Sequence, residues 1–478
     1  MDQSVYYTSV RRRNAGNLLL SLLTYCLLLG CEQDNKGVRI LFVGDILLSR
    51  NVSTEIEARH TFPWETLKSQ FQSYDLVVGN LEGAIGVPSG IVQSGIQSPI
   101  FGIDSLHVPL LRQAGFKVIT LENNHSLDFG EAGKTKTIDA LRRNQISPVF
   151  LDNSPQFFTV NDVVIAVVAL NIVLSKDSSK NQVPSIEIKQ KLRLARSLAK
   201  MVVVSVHWGS ELLEWPNKEQ RDIAKWLVKN GADLIIGSHP HVVQKPELVD
   251  CKPVFFSLGN HLFDQKYPQT KQGLMVDIRI KESSFTCTGI ATHSENHSFY
   301  PIASGNVVFD FNPIILNNNT LTNNGIAIRP ISVSKNRDHK IVLEGVKDGK
   351  KIWNTPPMSI ITLTSGKLDG KNEFLFALEK HFSTLDGEIS LRPYVYNVNG
   401  SGITAIWRGS GLAWPLLDAQ LSIEDNNVLC VLHRGDSFIN PSKALDSRRL
   451  AAYKWNGFGF SGINDSLKCE SCLKLLEE

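Results

Sequence analysis

Cysteine is scarce in this chain, with seven in 478 residues, unevenly placed. A small disulfide-stapled scaffold is therefore excluded. Charge of one sign is lacking too: 50 Lys and Arg face 47 Asp and Glu, a net charge of +3. No basic stripe with interleaved aromatics occurs, so nucleic acid is not an expected partner. No apolar run reaches the roughly 20 residues of a membrane-spanning helix. No solenoid-like repeat shows in the first half. An apolar share of 42% and a charged share of 20% are those of an ordinary globular protein. At roughly 150 residues per domain, the length allows two or three domains.

The first residues read as targeting signal. Arg11, Arg12 and Arg13 precede an apolar run of roughly a dozen residues, the make-up of a secretory signal core. "LLGC" at Leu28 to Cys31 resembles a bacterial lipobox. That resemblance implies residues 1–31 as a lipoprotein signal, cleavage before Cys31, and several acyl chains on Cys31 anchoring the protein to a membrane. An ordinary signal peptide is the alternative. Of the later cysteines, Cys469 and Cys472 form "CESC", read as a local clip or a free pair.

From Val38 to about Ile280, short β-branched runs alternate with helical patterns. "VRILFVGD", "YDLVVGN", "FKVITLENN", "VVIAVVALN", "KMVVVSVHWG" and "ADLIIGSHPH" are strand-like, and several end in Gly, Asn or His. "DSLHVPLLRQAG" opens on a capping Asp104 and closes on Gly115, a helix with both boundary signals. "EAGKTKTIDALRRNQ" and "NKEQRDIAKWLVKNG" follow the same plan. Near-continuous apolar strands separated by helices predict an α/β domain, residues 38–340. "IAIRPISVSK" reads as its last strand. Residues 341–478 read as a β-rich accessory domain of short runs broken by Gly, Asn and Trp. One helix is expected there, at "NEFLFALEKHFST". "NVNGSG" (Asn397 to Gly402) has Asn where a calcium loop would carry Asp, and reads as a hairpin turn. Trp407, Trp414 and Trp455 are either core aromatics or a partner surface.

In parallel-rich sheets ligands gather at the strand ends, and there the polar residues of the first domain fall. "FVGD" delivers Asp45, "VVGNLEG" Asn80 and Glu82, and "LENNHSLDFG" Asn123, Asn124, His125 and Asp128. "SVHWGSE" delivers His207 and Glu211, "GSHPH" His239 and His241, and "SLGNHLFDQ" Asn260, His261 and Asp264. Singly, each has a structural explanation as a cap, a turn or a bonded imidazole. Together they offer the mixed nitrogen and oxygen donors that suit Mn, Fe or Zn.

The order "GNLEG", "ITLENNHSLDFGEAG", "VHWGSE", "GADLIIGSHPHVVQ" and "FFSLGNHLFDQ" resembles the CapA family of poly-γ-glutamate capsule biosynthesis proteins, a branch of the calcineurin-like metallophosphoesterases. The resemblance runs from about Ile40 to Gln265. It implies a four-layer α-β-β-α sandwich with one or two divalent transition-metal ions at the strand ends. Carried onto this chain, it makes Asp45, Asn124, His207, His239 and His241 metal ligands and His125 the acid that protonates the leaving group. Asp128 either orients His125 or caps the following turn. Two positions depart from the wider superfamily: Leu47 stands where a histidine ligand would be, and Asn80 where a bridging Asp would be, which favours Glu82 as the bridge.

The resemblance also sets the functional expectation. It is an exported, lipid-anchored protein of the bacterial cell envelope, acting on an anionic capsule polymer or a phosphoester by metal-dependent hydrolysis or transfer. The alternatives are a non-catalytic scaffold of an envelope export complex and a general envelope metallophosphodiesterase.

Overall fold

The apolar runs of the first half become strands that end where polarity returns. The computed structural model describes residues 37–86, 99–173, 183–295, 297–316, 320–335, 338–382, 389–409, 412, 416–422, 428–434, 448–463 and 472. The signal segment with Cys31, and also Trp414 and Cys469, lie outside these residues. Among the described residues no helix is long and apolar enough to cross a membrane.

Eight strands position the site: β1 (Val38–Ile46), β2 (Leu76–Leu81), β3 (Val118–Thr120), β4 (Val163–Asn171), β5 (Met201–His207), β6 (Leu234–Ser238), β7 (Asn260–Leu262) and β8 (Gln272–Lys281). β1 is central to the first sheet. It pairs in parallel with β2 and β7 and antiparallel with β8, while β3 extends the sheet beyond β2. The second sheet is built around parallel β4, β5 and β6. Among the described residues, five helices of seven residues or more accompany them: α1 (Arg50–Arg59), α2 (Val108–Ala114), α3 (Gly130–Arg143), α4 (Ile186–Leu198) and α5 (Lys218–Lys229). α2 closes on Gly115 at φ 116, and Asn217 caps α5 through the backbone N–H of Gln220, as their boundary residues predict.

Alternation along β1 assigns its two faces. Ile40 and Phe42 enter a core with Val167 of β4, Val203 of β5 and Ile236 of β6. Leu41 and Val43 enter another, with Leu111 of α2 and Leu141 of α3. On the far side of the second sheet, Val168, Val204 and Ile235 share a core with Leu192 of α4 and Leu227 of α5. Each strand is thus covered on both faces, which is why its sequence is apolar without interruption.

The C-terminal region is β-rich, as expected. It holds three successive four-stranded antiparallel sheets, spanning 322–354, 360–408 and 416–463. "NVNGSG" forms the turn between Ile389–Asn399 and Gly402–Arg408. Three expectations need correction. "NEFLFALEKHFST" is not a helix: Phe374–Phe382 is a strand paired on both sides, with Ile360–Gly366 and Ile389–Asn399. "IAIRPISVSK" (Ile326–Lys335) pairs with Asp338–Lys347 in the first C-terminal sheet, so the boundary placed at 340 falls inside a strand. Cys472 bonds Cys430, 42 residues away, and not its neighbour in "CESC". Trp455 is buried, and Trp407 packs against it and Phe460, so these two are core aromatics.

The C-terminal sheets are packed onto the α/β region. Ile341, Leu363 and Leu375 lie in the same core as Leu192 and Ala195 of α4. A polar lock adds to this contact. Arg193 pairs with the buried carboxylate of Asp418 and donates to Gln420 at 2.9 Å, while Gln190 donates to the Leu417 carbonyl at 2.8 Å. Breaking a buried pair strands its partner's charge. Asp418→Ala should therefore cost about 3 kcal/mol, read as a lower urea midpoint with an unchanged slope. An unshifted midpoint would show the lock to be dispensable.

Candidate metal centre

Two glycines let the strand ends converge. A Cβ on Gly44 would stand 2.0 Å from the Gly259 carbonyl oxygen, and one on Gly237 would stand 2.0 Å from that of Phe256. Only glycine permits such approach. The Asp45 amide then donates to Gly259 O at 3.0 Å. Register does the rest: Asp45 lies opposite Asn80 on one side and Asn260 on the other, and His207 lies opposite Ser238 and Asn171.

Beyond β6 the chain turns sharply. His239 has φ 96 and His241 φ 58, a region that bulky L-residues rarely enter. Such strain is held by surrounding bonds and clusters at functional sites. Here the His239 amide donates to Asp45 Oδ2 at 3.1 Å, and His241 Nδ1 meets Asn260 Oδ1 at 2.9 Å.

The donor atoms fall into two overlapping groups. Asp45, Glu82 and His241 offer one set of atoms within 4.8 Å of one another; Glu211, His239 and His241 offer another. His207 adjoins the first, its Nε2 3.6 Å from Glu82 Oε1 and 2.9 Å from Asn124 Oδ1. The expected ligands Asp45, Glu82, Asn124, His207, His239 and His241 are thus gathered at the strand ends, with Asn124 bonded to His207. His125 is paired with Asp128: Nδ1 meets Asp128 Oδ2 at 2.9 Å, and the same carboxylate accepts the Phe101 amide at 2.7 Å. The His125 ring stacks on Phe101 at 3.8 Å.

Electrostatics show what the pocket needs. Among the described residues, both Glu82 oxygens and His239 Nδ1 are buried without a hydrogen-bond partner. Burial, and then the charge of Asp45, raises the Glu82 carboxyl well above its ordinary range. Burial pushes Asp45 up to about 7, against hydrogen bonds from Asn80 and His239. The imidazoles are pushed the other way: burial lowers His207 well below its usual value, His239 to about 4 and His241 to about 3. Neutral imidazoles with unprotonated nitrogens are the ligand form of histidine. Orphaned buried carboxylate oxygens beside them are what a divalent cation would satisfy. The residues fit the ion, and the mixed donor set is compatible with a transition metal.

Glu211 and Asn80 stand among the strand-end residues of the sequence without an assigned role, and Ser238 is not singled out there. Glu211 belongs to the second donor group, and its only sequence signal is its place four residues after His207. Asn80 donates to Asp45 Oδ1 at 2.9 Å and accepts from Asn123 at 3.2 Å, so it orients the Asp and is not itself aimed at a metal. Ser238 meets His207 Nδ1 at 2.9 Å, holding that ring as partners of metal-bound histidines do. Leu47 is buried in the core shared with Leu111 and Leu141 and supplies no ligand.

Strand-end carboxylates and neutral imidazoles on a mixed α/β scaffold define the class: an α/β protein with a candidate transition-metal centre. Residues 39–265 match the family model described as bacterial capsule synthesis protein PGA_cap. That segment, slightly less than half of the chain, is what resembles the family. It is similar to the "Capsule biosynthesis protein CapA" of Bacillus anthracis, 28% identical over 53% of this chain and 66% of the relative. It is also similar to the "PGA biosynthesis protein CapA" of Bacillus subtilis (strain 168), 29% identical over 53% of this chain and 71% of the relative. The first of these is thus spanned over slightly less than two thirds of its length.

Proposed function

We propose that this chain is an exported, membrane-tethered CapA-like protein that acts in synthesis, export or anchoring of an anionic capsule polymer such as poly-γ-glutamate, by metal-dependent hydrolysis or transfer. The observation that carries this reading is Glu82: a buried carboxylate with two orphaned oxygens, flanked by His207 and His241, inside a capsule-synthesis family segment. Asp45, Glu82, Asn124, His207, His239 and His241 would hold one or two ions of Mn, Fe or Zn. When bound, such an ion polarises a substrate oxygen and supplies hydroxide at neutral pH. His125, oriented by Asp128, would pass a proton from Nε2 to the leaving group. Asn80 and Ser238 keep Asp45 and His207 aimed.

We read the two facing sheets with helices outside them as the α-β-β-α sandwich of the calcineurin-like proteins. Attachment through lipid on Cys31 in the cell envelope belongs to the same proposal, and the Cys430–Cys472 disulfide supports an oxidising compartment. One observation favours the scaffold alternative: Asn80 is committed to its protein neighbours and Leu47 to the core, so two donor positions of the hydrolases are spent. The test is metal content of the purified full chain, together with hydrolysis of bis(p-nitrophenyl) phosphate and shortening of poly-γ-glutamate. Bound metal with polymer cleavage supports the proposal. No metal and no activity supports the scaffold. Metal with phosphodiester cleavage alone points to a general phosphodiesterase.

A further inference from the structure

Beside the metal centre, one cation is set in a manner that neutralising a carboxylate does not explain. Arg50 opens α1 at φ 55, an uncommon conformation for a long side chain. Its Nε donates to Asp264 Oδ2 at 3.1 Å, and its Nη2 forms an ion pair with Oδ1 at 2.9 Å. Asp264 has a side chain with no exposure, while that of Arg50 is 37% exposed. Asp264 also accepts from the backbone N–H and side-chain amide of Asn51, at 3.3 and 3.1 Å, so it has donors besides the arginine. These contacts turn the Nε and Nη2 edge of the guanidinium toward Asp264. Nη1, on the other edge, makes no hydrogen bond to the described residues.

The direction of that edge matters because of what Arg50 shares with the site. Its guanidinium carbon lies over the Phe101 ring, 5.2 Å from the centroid, and the same ring carries His125 stacked at 3.8 Å. Phe101 also meets Phe263 at 5.9 Å, and Phe263 meets His241 at 4.6 Å. Arg50, His125 and His241 therefore border one aromatic pair.

We propose that Arg50 is a substrate-binding residue: braced by Asp264 and Phe101, it receives an anionic oxygen of the substrate through Nη1 and seats the substrate against His125. The chemistry recognised is a planar or tetrahedral oxyanion, the carboxylate of an acidic polymer or the phosphate of an ester. A guanidinium fixed on one edge can bind such a group with the other, which a lysine cannot reproduce. The inference rests on the proposed function for the identity of the substrate, but it concerns binding and needs no turnover.

The test is calorimetric titration of the full chain with γ-linked triglutamate and, separately, inorganic phosphate, each with and without Mn²⁺. Wild type is compared with Arg50→Gln, Arg50→Lys and Arg221→Gln. Arg221 is a control of similar exposure, 41%, forked on Glu247 but with its Nη1 already donating to the Pro216 carbonyl at 2.7 Å. Thermal melts verify folding, and Gln at position 50 retains a donor for Asp264. The expected result is binding of at least one anion, weakened at least tenfold by Arg50→Gln, partly restored by Arg50→Lys and unchanged by Arg221→Gln. Which anion binds separates the polymer from the phosphoester. Equal affinity in wild type and Arg50→Gln, equal loss with Arg221→Gln, or no binding of either anion to wild type overturns the proposal. Failure of the metal reading shows separately, as absent metal, since the titrations without Mn²⁺ still report on Arg50.

Discussion

Glu82→Gln should strip the centre of metal and yet make the metal-free protein more stable. Both effects follow from one buried carboxylate. With metal, its charge is what the cation binds, and loss of that ligand should weaken metal affinity by at least about 100-fold, the upper range for merely disturbing a ligand's supporting partner. Without metal, the charge has no hydrogen-bond partner among the described residues and lies near a second carboxylate, Asp45, whose charge raises it further. Removing it should then stabilise by about 1–3 kcal/mol, as when buried charges give way to neutral groups. The pH sign is fixed by the direction of the shift. The folded Glu82 holds its proton above the unfolded value of 4.5, so the folded state binds more protons. Stability from this group is full below that value and is lost as pH rises through the raised folded one. In chelator, wild-type stability should accordingly fall relative to that of Glu82→Gln as pH rises above about 4.5, while the buried histidines, shifted the other way, act alike in both proteins. Added Mn²⁺ should invert the order of the two proteins. Melts in chelator and in Mn²⁺ across this range, with elemental analysis, decide the matter. A Gln variant that is less stable in chelator and keeps its metal would remove Glu82 from the centre.

Loss of the His125 imidazole should lower turnover by about 10²–10⁴-fold while leaving metal content nearly unchanged. The ring touches Asp128 and Phe101 and belongs to neither donor group. Asp128→Asn should cost less in rate but displace the acidic or basic limb of the pH profile. That displacement separates orientation of the ring from a purely structural role for the carboxylate, which also holds the Phe101 amide. The measurement is the rate profile on whichever ester or polymer the wild type cleaves. Equal turnover in wild type and His125→Ala would end the assignment of that proton transfer.

Much of this was legible in the sequence because β1, β2, β4, β5 and β6 are buried on both faces and end in single polar residues. A reader needs only the end of each run to collect Asp45, Glu82, His207, His239 and His241. What was not legible depends on contacts between distant segments. Asn80 and Ser238 gain their roles only from the register that sets them beside Asp45 and His207. The positive φ of His239 and His241 has no residue signature, since glycine is absent from both positions. Phe374–Phe382 carries helix-like spacing, but strands on both sides claim its backbone bonds, and tertiary pairing overrides local preference. Cys472 lies three positions after Cys469, yet partners Cys430, because spacing does not determine connectivity.

The placement of β8 has a practical consequence. It supplies the antiparallel neighbour of β1, from Val38 opposite Ile280 to Phe42 opposite Val276, and it begins after residue 265, where the family match ends. A fragment trimmed to the homologous region would turn the central strand of the first sheet into a raw edge, open to pairing with other chains. It would also lose Thr270, whose carbonyl accepts from Asn260 at 3.0 Å and so steadies the amide against His241. The stretch that matches the family is shorter than the stretch that must fold, and excising it should give aggregates before it gives a minimal domain.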